Sequence, residues 1–195
     1  MGFIADTKRI LESYEAGFNA SNEKFNAEKK RNDEKLRKFH ITRAGYNAAM
    51  EKPSREHARE LDELLKSHVQ QVRDALESYE AGLDRRYLRT PDSINQDDVA
   101  LLSNSAVELS AADVEAMFSR HEGNMAMQGV VADYEIKHKT GAKITYYSHD
   151  VRKAAAEDYA GGVIGSMRAV NGDNLGMRFA YYASASAVPD ALVGE

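Results

Sequence analysis

The amino-acid sequence predicts a mainly α-helical protein: a long helical hairpin or coiled coil over residues 1–90, then a small helical domain over residues 91–195 with room for one short strand. Three observations carry this. Apolar residues recur at seven-residue intervals through the first ninety positions, the spacing of a stripe along one side of a helix. Proline occurs only three times, at Pro53, Pro91 and Pro189, so long stretches lack the residue that removes a helical hydrogen bond. Past Pro91 the chain divides into shorter amphipathic pieces opened by Ser, Asn and acidic residues, which cap helices.

The first stripe runs Ile4, Leu11, Phe18, Phe25, Asn32, Phe39, Tyr46. Sustained heptad spacing of this kind predicts one helix from Ile4 to Met50. The companion row, from Thr7 and Tyr14 through Ser21, Glu28 and Lys35, is poor in apolar residues, so the helix is better specified than its pairing. Asn32 in the apolar row either fixes register and oligomeric state or simply interrupts the stripe. Gly17, Asn19, Ser21 and Asn22 lower helix propensity and mark a place for a break. Glu51-Lys52-Pro53-Ser54 then reads as a tight turn, because the residue before a proline avoids helical torsions while proline suits a first helical position. The second helix has two good rows, Ala58, Leu65, Val72, Tyr79 and Asp62, Val69, Leu76, Leu83.

Two long helices joined by a short turn fold back antiparallel, which would set Phe39 and Tyr46 against residues 58–65. The residues expected to pack helices, within the chain or between copies, are Ile4, Leu11, Phe18, Phe25, Asn32, Phe39, Leu65, Val72, Leu76 and Tyr79. The heptapeptide LESYEAG occurs twice, at Leu11–Gly17 and Leu76–Gly82. Its flanks do not match, so chance or similar surface demands on two helices account for it better than a true repeat or a duplicated docking site.

Thr90-Pro91-Asp92-Ser93 marks the start of the second region. Gln96 to Asn104 reads as a short helix. Ser110 followed three residues later by Asp113 reads as a capping box ahead of Val114, Met117 and Phe118, with Gly123 ending that helix. Asn124 opens another through His138, closed by Thr140-Gly141. Lys143 to Ser148 has the β-branched and aromatic content of a short strand but no evident partner. Val151 to Val170 reads as helix, its Gly161, Gly162 and Gly165 offering small surfaces for close helix packing. The sequence leaves the tail after Asn171 open.

No chemistry announces itself. Cysteine is absent, which excludes thiol nucleophiles, disulfides and cysteine zinc sites. The six histidines form no HExxH or comparable ligand spacing, and His68, beside the apolar rows, reads as a structural histidine. There is no GxSxG elbow, P-loop or dinucleotide fingerprint; Asn171 to Gly176 is turn chemistry. Adjacent carboxylates such as Asp97-Asp98 and Glu157-Asp158 diverge on a helix and do not form an acid/base pair. The reading is therefore non-enzymatic, with no catalytic residue, no metal and no cofactor.

The net charge of −5 hides an asymmetry. Residues 1–90 carry 18 Lys and Arg against 16 Asp and Glu, and residues 91–195 carry 8 against 15. That balance suits salt-sensitive contact with protein rather than tight duplex binding, so nucleic acid is not the favoured partner. The basic run around Lys29, Lys30 and Arg31 has Glu28, Asp33 and Glu34 interleaved and reads as a solvated helix face. The amino-terminal stretch meets charge early and builds no apolar core, so neither a signal peptide nor a membrane span is expected, and synthesis should be cytoplasmic.

Residues 91–138 nonetheless have a recognisable order: a Pro and acidic opening, the Leu101-Leu102-Ser103-Asn104 turn, the capped acidic helix from Ser110 to Phe118, and the Asn- and Met-containing turn that opens the helix from Asn124. In this order the segment resembles small structural-region proteins, the head-morphogenesis or virion-associated group, of tailed phages of Gram-positive bacteria. Where that group has Asn-Pro-Thr-Met, this chain has Asn124-Met125-Ala126-Met127. The resemblance implies a virion or head-assembly role with no catalytic residue. With the helical hairpin as the device for self-association, the expected partners are further copies of the chain and a capsid or other virion protein, with synthesis in the host cytoplasm and a place in the virion. A cellular helical adaptor, or a helical protein binding nucleic acid through the Lys29 to Lys38 face, is the alternative.

Overall fold

The structure is a computed structural model and describes residues 2–171. It is mainly helical, with six helices and no strand among the described residues: α1 (Phe3–Arg37), α2 (Arg43–Tyr87), α3 (Gln96–Ser103), α4 (Ala111–Arg120), α5 (Met125–His138) and α6 (His149–Asn171). The described residues divide into two compact units, one of residues 2–76 with 156–171, the other of Glu77–Ala155. This differs from a division after residue 90, because α6 returns its later residues to pack with α1.

In the first unit α1 and α2 run antiparallel. Their register is fixed by contacts from Ser13 to His68, from Ser21 to His57 and from Asn32 to Met50. Phe3, Ile4, Leu11, Tyr14 and Phe18 of α1, Val69 and Val72 of α2, and Tyr159, Val163 and Met167 of α6 are buried. Each large side chain so covered is worth about 1.5–3 kcal/mol. Phe3 meets Tyr159 edge-on with ring centres 5.9 Å apart. The Tyr14 hydroxyl donates to the Met167 carbonyl at 3.0 Å, which satisfies a polar atom that burial would otherwise leave unpaired. His68 is buried, its ring nitrogens meeting the Leu64 carbonyl and the Ser13 hydroxyl, as suits a histidine with a structural task.

In the second unit α5 packs against α3 and α4. Val114 and Met117 of α4 and Val131 and Tyr134 of α5 form the core, with Leu102, Leu109, Phe118 and Ala142 against it. The Ser110 hydroxyl accepts from the Asp113 amide while the Asp113 carboxylate accepts from the Ser110 amide, so the expected capping box is present. Asn124 caps α5 through its side-chain oxygen and donates its amide to the Ser93 carbonyl at 2.7 Å. Lys143 to Ser148 is irregular rather than a strand. It is held by its aromatic rings, with Tyr146 lying over Gly129 so closely that a Cβ there would stand 2.6 Å from the Tyr146 hydroxyl.

Several expectations are overturned. The first helix ends at Arg37 and the turn falls at residues 38–42, not 51–54. Pro53 lies inside α2, where its missing N–H forfeits the bond to the Ala49 carbonyl without ending the helix. Gly17 to Asn22 causes no break in α1. Gly161 and Gly165 face away from the packed side of α6; a Cβ at either would meet no described residue within 4 Å. The tail after Asn171 lies outside the described residues.

Candidate functional site

The hairpin of α1 and α2 brings together most of the residues that the heptad rows single out. Ile4, Leu11, Phe18 and Val72 are buried in the first unit. Leu65 and Leu76 are half-buried. Tyr79 is half-buried in the second unit, where burial pushes its phenol above the ordinary value. Asn32 is buried and crosses the seam, its amide donating to the Glu28 carbonyl at 3.2 Å and lying 3.4 Å from the Met50 sulfur. Phe39 is the exception. Expected against residues 58–65, it is 95% exposed, because the chain has already turned when it is reached.

Between the core and the turn, the seam becomes polar. The Ser21 hydroxyl lies 3.0 Å from His57 Nδ1 and donates to Glu60 Oε2 at 3.0 Å. Lys24 Nζ bonds the other Glu60 oxygen at 2.6 Å. The Phe25 and His57 rings stack with centres 4.5 Å apart and planes 4° from parallel. Hydrogen bonds from Lys24 and then Ser21 hold the Glu60 carboxyl below its ordinary range, and the hydrogen bond and charge of Glu60 raise Lys24. A shallow recess of about 300 Å³ opens beside this network, lined in part by Phe25, Pro53, Glu56 and His57.

A serine, a histidine and an acid in contact invite comparison with a hydrolytic triad, but their order differs. In a triad the imidazole sits between hydroxyl and carboxylate, so the acid orients the base. Here the hydroxyl sits between ring and carboxylate and donates its hydrogen bond to Glu60. The arrangement braces α1 against α2. Ser21 with Lys24 and His57 with Glu60 each lie three residues apart, hence on one face of their helices. Reading them as partners requires the hairpin register, which a turn expected at residues 51–54 conceals.

The turn itself is well made. The Phe39 amide donates to the Leu36 carbonyl and the His40 amide to the Lys35 carbonyl, the paired bonds of a Schellman motif. Thr42 then caps α2, its hydroxyl accepting from the Gly45 amide at 3.1 Å. The residue that takes the left-handed conformation is Phe39, at φ 56°, a place where glycine is the usual choice. Around it, residues 29–43 carry seven Lys or Arg against Asp33 and Glu34, and all seven cations are exposed. Arg31 pairs with Glu28 at 2.9 Å, and Arg43 lies over the Tyr46 ring.

The second unit holds a separate charged cluster. Arg120 reaches both oxygens of the buried Asp98, at 2.9 and 3.3 Å, and His121 Nε2 lies 2.6 Å from one of them. Asp98 stands in the first turn of α3 and His121 at the end of α4, so both helix dipoles favour the pairing. The task visible in this cluster is to join two helix ends. No described helix is long and apolar enough to cross a membrane.

Comparison with known proteins finds no family model that matches the chain, and no curated protein or solved structure that resembles it significantly.

Proposed function

We propose that this is a non-enzymatic structural or assembly protein of a tailed phage, acting by self-association and by binding the capsid protein or another virion protein. The observation that carries the reading is the outer half of the hairpin. Among residues 21–60 only Asn32 and Met50 are buried, while Phe25, Leu36, Ile41, Tyr46 and His57 remain partly exposed. Two helices that cover their apolar side chains so incompletely gain from receiving a further layer. The resemblance of residues 91–138 to phage structural-region proteins supports the virion setting, with the host cytoplasm as the place of synthesis. The mechanism is stoichiometric binding, driven by apolar burial, with partner choice and salt sensitivity set by the many charges.

Light scattering of the full chain over a range of concentration and salt, with co-sedimentation against any capsid protein encoded in the same genome, tests this. A discrete oligomer or a capsid complex is expected. A monomer at every concentration that leaves capsid protein in the supernatant sinks the reading. The exposed cations of residues 29–43 favour one competitor, binding to nucleic acid, which would show as a gel shift that weakens steeply with salt. A gene neighbourhood without terminase, portal and capsid genes would instead favour a cellular adaptor.

A further inference from the structure

Two anomalies coincide at Phe39. Its backbone sits at φ 56°, a region that side chains with a Cβ avoid, and its ring is 95% exposed, so the fold gains almost nothing from it. Glycine or asparagine would complete the same Schellman turn without that strain. Strain that the fold does not need is a mark of function at the position that holds it. The ring also stands at the outermost point of the hairpin, among residues 29–43 with their excess of five positive charges.

We propose that this apex docks on a second copy of the chain, on the exposed carboxylates of residues 91–148, with the Phe39 ring entering the contact and the surrounding Lys and Arg meeting those carboxylates. Of the nine Asp or Glu in residues 91–148, Asp92, Asp97, Glu108, Asp113, Glu122 and Asp133 are exposed, against four exposed Lys or Arg, so this surface opposes the apex in sign. A phosphate backbone would satisfy the cations but offers the ring no apolar surface unless bases are opened. A lipid surface asks for more apolar area than one ring provides. A protein face offers carboxylates and apolar side chains together. Because the two surfaces are different parts of the same chain, the contact is heterologous and propagates into a ring or an open array.

The inference rests on the self-association reading and is tested on the full chain by sedimentation velocity. The wild type should associate with rising concentration and do so less at high salt. Phe39→Gly should weaken association by about tenfold or more while its melting transition stays the same or rises. A triple variant, K35E/R37E/K38E, should weaken it as well. A photo-crosslinking residue at position 39 should form bonds between differently tagged copies within residues 91–148.

Association unchanged in a folded Phe39→Gly protein, or crosslinks confined to other segments, overturns the apex contact and leaves self-association standing. A wild type that is monomeric throughout removes both. Loss of binding to a DNA fragment or to phosphatidylglycerol vesicles in Phe39→Gly, with self-association intact, would assign the apex to that partner instead.

Discussion

At Phe39 the needs of the fold and the chemistry of the side chain point in opposite directions. Replacing it with glycine relieves a left-handed torsion that is unfavourable by about 1 kcal/mol for a residue with a Cβ, and an almost wholly exposed ring leaves no cavity behind. Phe39→Gly is therefore expected to raise the urea midpoint rather than lower it, an unusual sign for the loss of an aromatic residue. Ser110 behaves conventionally. Its hydroxyl and the Asp113 carboxylate satisfy each other's backbone amides, so Ser110→Ala should lower stability by about 1 kcal/mol, read from the same denaturation curve. The two residues also differ in legibility. Ser110 and Asp113 are the residue types that a capping box demands, at the required spacing, and are readable directly. Phe39 occupies a glycine position and sits in the heptad row, so every local signal assigns it to the middle of a helix.

Among the elements, those whose ends carry side-chain caps are legible. The short helices α3, α4 and α5 begin after Asn95, Ser110 and Asn124, close to where the capping residues place them. The turn between α1 and α2 is not legible, because the apolar row continues through it to Tyr46, and Pro53 supplies a stronger but misleading stop. The signal that points to it is Thr42, which caps α2 three residues before Gly45. A turn misplaced by about three and a half helical turns puts the pairs Ser21–His57 and Phe25–His57 beyond reach, since contacts between antiparallel helices follow from where the chain reverses.

The duplicated LESYEAG shows how context separates identical strings. A Cβ at Gly17 would lie 2.9 Å from a Leu64 methyl, whereas one at Gly82 would meet no described residue within 4 Å. Gly82→Ala should thus gain about 0.5–1 kcal/mol from helix propensity. Gly17→Ala should return less of it, because Leu64 has to move; equal gains in thermal melting would refute the pairing of α1 with α2 that sets Gly17 against Leu64.

For the whole molecule, the response to alkali follows from two phenols shielded from water, the buried Tyr14 in one unit and the half-buried Tyr146 in the other. Burial pushes Tyr14 from 10.0 to about 12 and does the same to Tyr146, with Tyr87 adding to the second. Each folded form keeps a proton that the unfolded chain has lost, so the stability they confer is intact below pH 10 and is lost as pH rises from about 10 to about 12. Tyr14→Phe, which keeps the ring but not the hydroxyl donated to Met167, should show a shallower loss over that window by circular dichroism. His149 acts at lower pH. Hydrogen bonds to Asp150 and to Asp84 raise it above 6.5, so its contribution is complete below pH 6.5 and declines as pH rises through the folded value. Asp84→Asn should flatten that decline.

The bond from Tyr14 to Met167 joins residues 153 positions apart, and this has a consequence for birth on the ribosome. At roughly 5–20 residues per second, the apolar stripe of α1 waits about eight to thirty seconds before its partner in α6 has been made. Residues 77–155 form their unit entirely from chain synthesised in that interval. Pulse-labelled hydrogen exchange on stalled nascent chains should find α4 and α5 protected before the first turns of α1, whose Phe3, Ile4 and Leu11 are meanwhile available to a chaperone.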